Sequence, residues 1–354
     1  MNITHIIYFK QGAITGIDPI VKGLNEGLSG VSGTHSRVVS VCDRSWKSVW
    51  LDILSQCDLV VFHAIYVPKY WLLAWRLKLR GVPYVIIPHS SLMMATHRKS
   101  RWLKLMCNIL FVKSFVRDAL LIQFNNLPEE GGSVKSWNFK YCRISNGTCM
   151  ATQKYIELKK NAHAAWRANA GRGIRLIMLS RYDVHHKGLD ILVDRVAQYA
   201  TALRQTCVTI DMFGPDQKNG RKIVDNLVRQ RNIDDIVKVN GPLDRAALAD
   251  AFMTYQGFLM LSRYEGEPMA VLEAVAHGLP AILSEGTNIA HEFAAKGVAI
   301  VATENLVGDI ERLILILDDK HLIARCKEAL QGRSWDAIAR QALAVWTDRL
   351  KSPN

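Results

Sequence analysis

Two glutamates and two cations stand on two short stretches of the chain where they could hold an anion and a neutral polyol side by side. Glu265 and Glu273 have seven residues between them in GFLMLSRYEGEPMAVLEAVAHGLPAILSEG, Gly257–Gly286. Arg181 and Lys187 lie six positions apart in SRYDVHHKG. A guanidinium forks onto two phosphate oxygens and an ammonium acts as a compact point charge, so this pair fits a diphosphate. Pro268 suits the first position of a helix, because its missing N–H had no partner there anyway. The N–H groups of Met269 and Ala270 then point out of a helix start, where an anion binds readily. Glu273, on the second turn, is placed to accept from the hydroxyls of a neighbouring polyol such as ribose. By residue type alone, solvated glutamates and solvated loop cations on an ordinary strand–helix unit stay open as the alternative.

The register of the whole run carries more. E-G-E-P-M-A-V-L-E-A-x-A-x-G-L-P, residues 265–280, resembles the E-x7-E motif of retaining family 4 glycosyltransferases, which have the GT-B fold. Ser180–Gly188 is similar to that family's phosphate-binding loop, with Ser180 where a glycine is usual. The resemblance implies that Arg181 and Lys187 hold the diphosphate, Glu273 binds the ribose and Glu265 orients the sugar. It also implies a metal-independent reaction with a UDP- or GDP-linked sugar as substrate and no further cofactor. Retention without a visible nucleophile then implies front-face attack. Glu267 departs from the family, which has an aromatic or small residue there. A third carboxylate beside a diphosphate is unfavourable unless it faces the sugar or a cation, so Glu267 is expected at the donor sugar or acceptor.

These residues need a scaffold. Phe258–Leu261 reads as a strand, Met269–Ala276 as a helix that Gly278 and Pro280 stop, and Ala281–Leu283 as the next strand. The same alternation runs through the chain. Strands are expected at Thr4–Phe9, Arg37–Val41, Leu59–His63, Tyr84–Ile87, Leu120–Phe124 and Tyr141–Ile144, with helices near Trp46–Ser55 and Tyr70–Arg80. Such alternation predicts an α/β protein with parallel sheets covered by helices. With the resemblance, the expected fold is GT-B: two Rossmann-like doubly wound domains facing across a cleft. The expected parts are an acceptor-side domain over 1–150, a linker over 151–173, a nucleotide-sugar domain over 174–333 and a helix over 334–354 crossing back. Gly27, Gly30 and Gly33 lack dinucleotide spacing and read as a loop.

In a parallel sheet ligands sit beyond the C-terminal strand ends. His63 and His89 fall there. His89, in V-I-I-P-H-S-S, resembles the family histidine near the transferred sugar, with helix capping as the alternative; His63 reads as a core residue. Gly12 is a candidate for the family's glycine-rich loop, or part of a simple turn. Leu243 follows a strand whose equivalent bend touches the base in the family, but by its residues it reads first as part of a plain turn.

The formal charge is +13, and residues 1–150 supply +10 of it with 18 Lys/Arg against 8 Asp/Glu. Arg98, Lys99, Arg101 and Lys104 crowd the start of 97–117, with Trp102, Leu105, Met106, Ile109 and Val116 at helical spacing. A helix touching anionic lipid and a helix with a solvated basic end both fit. No apolar run is long enough to span a bilayer, no leader is visible, and the seven cysteines form no C-x-x-C pair. A cytoplasmic enzyme on the inner face of the inner membrane is the expectation. It would pass sugar to a saccharide or polyprenyl-diphosphate-linked acceptor in surface polysaccharide synthesis. Rivals are a nucleotide-sugar epimerase, an inactive partner subunit and a basic nucleic-acid binder, the last without any recognised binding module.

Overall fold

The computed structural model describes residues 1–10, 16–42, 48–50, 57–94, 106–134, 136–169, 173–244 and 246–352. Gly12 and the basic group Arg98, Lys99, Arg101, Trp102 and Lys104 lie outside them, as does most of the helix expected near Trp46–Ser55. The chain divides into two units, one of Met1–Thr148 with Gly332–Asn354, the other of Cys149–Gln331.

The first unit is built on β1 (Asn2–Ile7), β2 (His35–Ser40), β3 (Leu59–His63), β4 (Tyr84–Ile87), β5 (Leu121–Phe124) and β6 (Tyr141–Arg143). They pair in parallel in the order β2-β1-β3-β4-β5-β6. Both faces are covered, which is why Leu59–Phe62 can be an unbroken apolar run. Ile6, Phe62 and Ile86 pack with helix Pro68–Leu79 on one face. Ile3, Val61 and Val85 pack with helices Asp18–Ser29 and Trp335–Lys351 on the other. The chain goes from β1 to β2 on one side and then crosses to β3 on the other, so the strand order reverses between β1 and β3.

Gly27 is not in a loop. It lies inside helix Asp18–Ser29, and Gly30 caps that helix. A Cβ at Gly27 would run into the Trp335 carbonyl oxygen, and one at Gly23 into the Trp335 ring. The glycines are there because two helices touch backbone to backbone, a requirement that spacing along the chain does not reveal. Helix Trp335–Lys351 is further fixed by Trp346, fully buried, whose indole N–H donates to Gln123 Oε1 at 3.1 Å.

The second unit repeats the plan. Its strands are β7 (Ile174–Leu179), β8 (Val208–Phe213), β9 (Val237–Val239), β10 (Gly257–Met260), β11 (Ala281–Leu283) and β12 (Ala299–Val301). All are parallel, in the order β12-β11-β10-β7-β8-β9, so the reversal falls between β7 and β10. Within the stretch 151–173 lies helix Gln153–Ala168, held in this unit by Lys159. That ammonium is buried and donates to the carbonyls of Phe252 and Tyr255 at 2.7 Å each, at the end of helix Leu248–Thr254. Carbonyls there have no intrahelical partner, and a cation suits them. Burial brings the Lys159 ammonium down to about 7.

Candidate active site

The loops that leave β7 and β10 lie side by side because those strands are hydrogen-bonded neighbours, with Phe258 opposite Ile177. In a doubly wound sheet this reversal opens a crevice at the C-terminal strand ends, where ligands bind. The β7 loop carries Arg181 and Lys187, and the β10 loop carries Glu265 and Glu267.

Several contacts tie these loops together. The Arg263 N–H donates to the His186 carbonyl at 3.0 Å. Its guanidinium donates to the His185 carbonyl at 2.6 Å and forks onto both Asp190 oxygens at 2.7 and 2.8 Å. Gly188 starts the helix Leu189–Gln198 with φ +62°, and a Cβ there would collide with the Leu261 carbonyl, so only glycine lets the loops come this close. From the neighbouring β11 loop, Asn288 Nδ2 donates to the Glu265 carbonyl at 2.5 Å.

The outcome is an ion pair. Lys187 Nζ donates to Glu265 Oε1 at 2.5 Å, and each side chain is only 11% exposed. Burial by itself would raise the Glu265 carboxyl. The Lys187 charge, with a smaller pull from His186, overcomes this and holds it below its ordinary value. His186 stands 3.9 Å from the same carboxylate oxygen. It donates through Nε2 to the Tyr264 carbonyl at 2.8 Å and stacks on the Tyr264 ring at 4.3 Å between centroids. Burial lowers its imidazole despite Glu265, which pulls the other way. Lys187 uses one of its three donors on Glu265, and two remain for a ligand.

The other predicted residues are placed as follows. Arg181 turns toward the β8 loop, where its Nη1 donates to Gln217 Oε1 at 2.9 Å. Tyr182 anchors that turn, its hydroxyl donating to the carbonyls of Met212 at 3.0 Å and Asn240 at 2.7 Å. Gly214 passes so close to Ser180 that a Cβ would collide with its carbonyl oxygen. Pro268 is the residue before the helix Met269–Ala276, so Met269 takes the first helical position. The N–H groups of Met269 and Ala270 stand in the first turn, where no intrahelical partner exists. Glu273 is half-buried on the second turn, Glu267 is buried, and Leu243 is half-buried in the β9 loop. Thus Lys187 and Glu265 meet directly, while Arg181 is directed to another loop.

In the first unit, His89 follows β4 on a turn with two successive left-handed residues, His89 at φ 46° and Ser90 at φ 67°. Such backbone persists only where the surroundings enforce it. Glu129, fully buried, does so: its carboxylate accepts from the N–H of Ser90 at 2.5 Å and of Asn125 at 2.8 Å. Among the described residues, no group of three His, Cys, Asp or Glu side chains is set to hold a metal ion.

Residues 163–333 match the family model of Glycosyl transferases group 1. That span contains Arg181, Lys187, Glu265 and Glu273, and so covers the paired loops just described. No curated protein matches the chain in sequence. Solved structures resemble it over its whole length. Sucrose-phosphate synthase from Thermosynechococcus elongatus is 18% identical with a TM-score of 0.75, covering 99% of each chain. HepE from Anabaena, solved with UDP and glucose, is 15% identical at TM-score 0.65, covering 98% of this chain and 100% of its own. WaaG, a glycosyltransferase involved in lipopolysaccharide biosynthesis, is 13% identical at 0.66, covering 98% and 99%. The fold is GT-B, and the match over the site supports a glycosyltransferase.

His186, Arg263 and Asp190 were not among the residues that sequence singled out. Nothing along the chain links His186 to Glu265, or Arg263 to Asp190. Their one signal is position within the two motif loops.

The ion pair has a direct consequence. Glu265 contributes stability in full above the ordinary glutamate pKa, and that contribution is lost as pH falls through the lowered value. Lys187→Met removes the cause of the lowering, and burial then raises the carboxyl. In the variant the cost should appear as pH rises through the ordinary glutamate value, reaching up to roughly 3–5 kcal/mol at neutral pH, the range for breaking a buried pair. Urea denaturation of both proteins from pH 4 to 8 measures this. Parallel profiles would contradict it.

Proposed function

We propose that this protein is a retaining, metal-independent glycosyltransferase of family 4 type. It moves a hexose from a UDP- or GDP-linked donor to a saccharide or lipid-linked saccharide. The observation that carries this reading is the Lys187–Glu265 pair, set where the strand order reverses and followed within one turn of chain by the start of helix Met269–Ala276.

The diphosphate lies against Lys187 and Arg181, with the Met269 and Ala270 N–H groups adding donors. Charge grows on the leaving phosphate as the bond from sugar C1 to phosphate oxygen breaks, and donors fixed in advance stabilise that charge. Lys187 acts between two anions, Glu265 on one side and the diphosphate on the other. Glu265 orients the sugar ring, Glu273 accepts from the ribose hydroxyls, and Glu267 contacts the sugar or the acceptor. The acceptor oxygen forms its bond to C1 on the face that the phosphate leaves, and its proton passes to the leaving phosphate oxygen. His89 donates to a hydroxyl of the sugar, and Leu243 lines the donor. UDP is the first donor base to test, because HepE was solved with UDP and glucose.

The acceptor is proposed to belong to surface polysaccharide synthesis; WaaG, of similar fold, is involved in lipopolysaccharide biosynthesis. Peripheral membrane attachment on the cytoplasmic face goes with it. No described helix is long and apolar enough to cross a membrane. Met106, Ile109, Leu110 and Phe111 nevertheless stand 49–68% exposed around the turn Asn108–Val112. Exposed apolar side chains that follow basic residues in the sequence are suited to anionic lipid.

A thermal-shift screen against UDP- and GDP-sugars, with EDTA present, tests the donor. One donor class should raise the melting temperature, worth about 2.7 kcal/mol at a hundredfold excess over Kd. Arg181→Ala and Glu273→Ala should each lose most of that shift, and the anomeric proton of the product should show the donor's configuration. No shift with any sugar nucleotide, or an inverted product, would overturn the reading. For the membrane, co-sedimentation with phosphatidylglycerol vesicles should fall when Ile109, Leu110 and Phe111 are changed together to serine. Equal sedimentation would count against attachment through this surface.

A further inference from the structure

His89 is the end of a line. Its Nε2 lies 3.0 Å from His63 Nδ1, and His63 Nε2 lies 2.9 Å from His5 Nδ1. The three residues come from β1, β3 and the turn after β4, which are neighbours in the sheet. His5 stands opposite Val61 and His63 opposite Ile87, so each imidazole is two residues further toward the C-terminal edge than the last. The line crosses the β1–β3 boundary, where the strand order of this unit reverses, and rises to the edge at His89. His5 and His63 are fully buried. The terminal nitrogens, His5 Nε2 and His89 Nδ1, are both buried and have no hydrogen-bond partner among the described residues.

Every link joins an Nδ1 to an Nε2. A neutral imidazole carries one N–H and one lone pair, so both hydrogen bonds can form only if all three rings are the same tautomer. Either all carry the proton on Nδ1, or all carry it on Nε2; a mixed set breaks a link. The rings are neutral. Burial brings His5 and His89 down to about 3, and pushes His63 well below its ordinary value with help from its two neighbours.

The two arrangements differ at their ends. With Nε2–H throughout, a proton is stranded at the inner end on His5, inside the core. With Nδ1–H throughout, the inner end is a bare lone pair and the N–H stands at the outer end on His89. Each form leaves one buried donor and one buried acceptor over at the ends. The Nδ1–H form puts the leftover donor on the turn after β4, at the C-terminal strand ends where a parallel sheet binds its ligands, and the Nε2–H form puts it in the core. We propose that His5 and His63 are positioning residues that lock His89 as its Nδ1–H tautomer, a fixed neutral hydrogen-bond donor for a sugar hydroxyl or phosphate oxygen. That the three rings share one tautomer follows from the two hydrogen bonds alone; that it is the Nδ1–H form rests on a ligand acceptor meeting His89 in the function proposed above.

The lock is read without substrate or turnover. Long-range proton–nitrogen correlation spectra of the full-length protein, labelled with nitrogen-15 in its 11 histidines, distinguish protonated from bare ring nitrogens. Signals are assigned by loss in His5→Gln, His63→Gln and His89→Gln. All three should show a protonated Nδ1 and a bare Nε2, the opposite of the form imidazole prefers in water. Any of the three found as Nε2–H, or doubly protonated at neutral pH, would overturn the proposal from the wild-type spectrum alone. In His63→Phe, His89 should revert to Nε2–H; persistence of Nδ1–H there would remove His63 as its positioning partner. A protein with the lock but no transferase activity would keep this result and lose the ligand, so the two failures are told apart.

Discussion

The ion pair between Lys187 and Glu265 depends on three features of the second unit at once. It needs β7 and β10 to be adjacent, which is a property of topology. It needs a glycine at 188, because a side chain there would hold the loops apart. It needs Arg263 to fasten the β10 loop to the β7 loop through two carbonyls and a carboxylate. With these in place, two opposite charges sit nearly out of solvent at one hydrogen-bond length, and each is stable there because of the other. Either charge alone would be costly. Together they form a site that already favours an anion on one side and hydroxyl donors on the other.

The two units place their polar groups by the same rule. In each, the strand order reverses beside the first strand of the unit, and the reversal leaves room at the C-terminal strand ends. In the second unit that room holds Lys187 and Glu265. In the first, a row of imidazoles crosses it and ends at His89, whose strained turn is held by the buried Glu129 carboxylate. Polar groups inside parallel sheets are costly unless satisfied. These are satisfied mostly by one another, and only the ends are left over.

Much of this was legible along the chain, for physical reasons. The E-x7-E run carries its own secondary structure: an apolar strand, a proline before the helix, and a glycine and proline that stop it. Its strand, turn and helix could therefore be read locally, and the family match over 163–333 falls on it. The alternation of strands and helices announced parallel sheets for the same reason. What could not be read depends on register between distant strands. His5 looked like part of an apolar strand and His63 like a core residue, because nothing near either in sequence shows that they stand one step apart across β1 and β3. Gly27 reads as loop in the sequence, since the Trp335 backbone it accommodates is about 300 residues away. His186 and Arg263 were visible as residue types, but their roles come from loops meeting in space.

If Lys187 is the cation on which the site turns, it should govern affinity for the nucleotide diphosphate itself, apart from any sugar. Titration calorimetry of the wild-type protein and Lys187→Met with UDP and GDP measures this directly. The account predicts that the wild type binds one of the two and that the variant binds it at least about tenfold more weakly, the loss of roughly 1.4 kcal/mol expected for a charge-assisted hydrogen bond. A folded variant that binds the diphosphate as tightly as the wild type would contradict it.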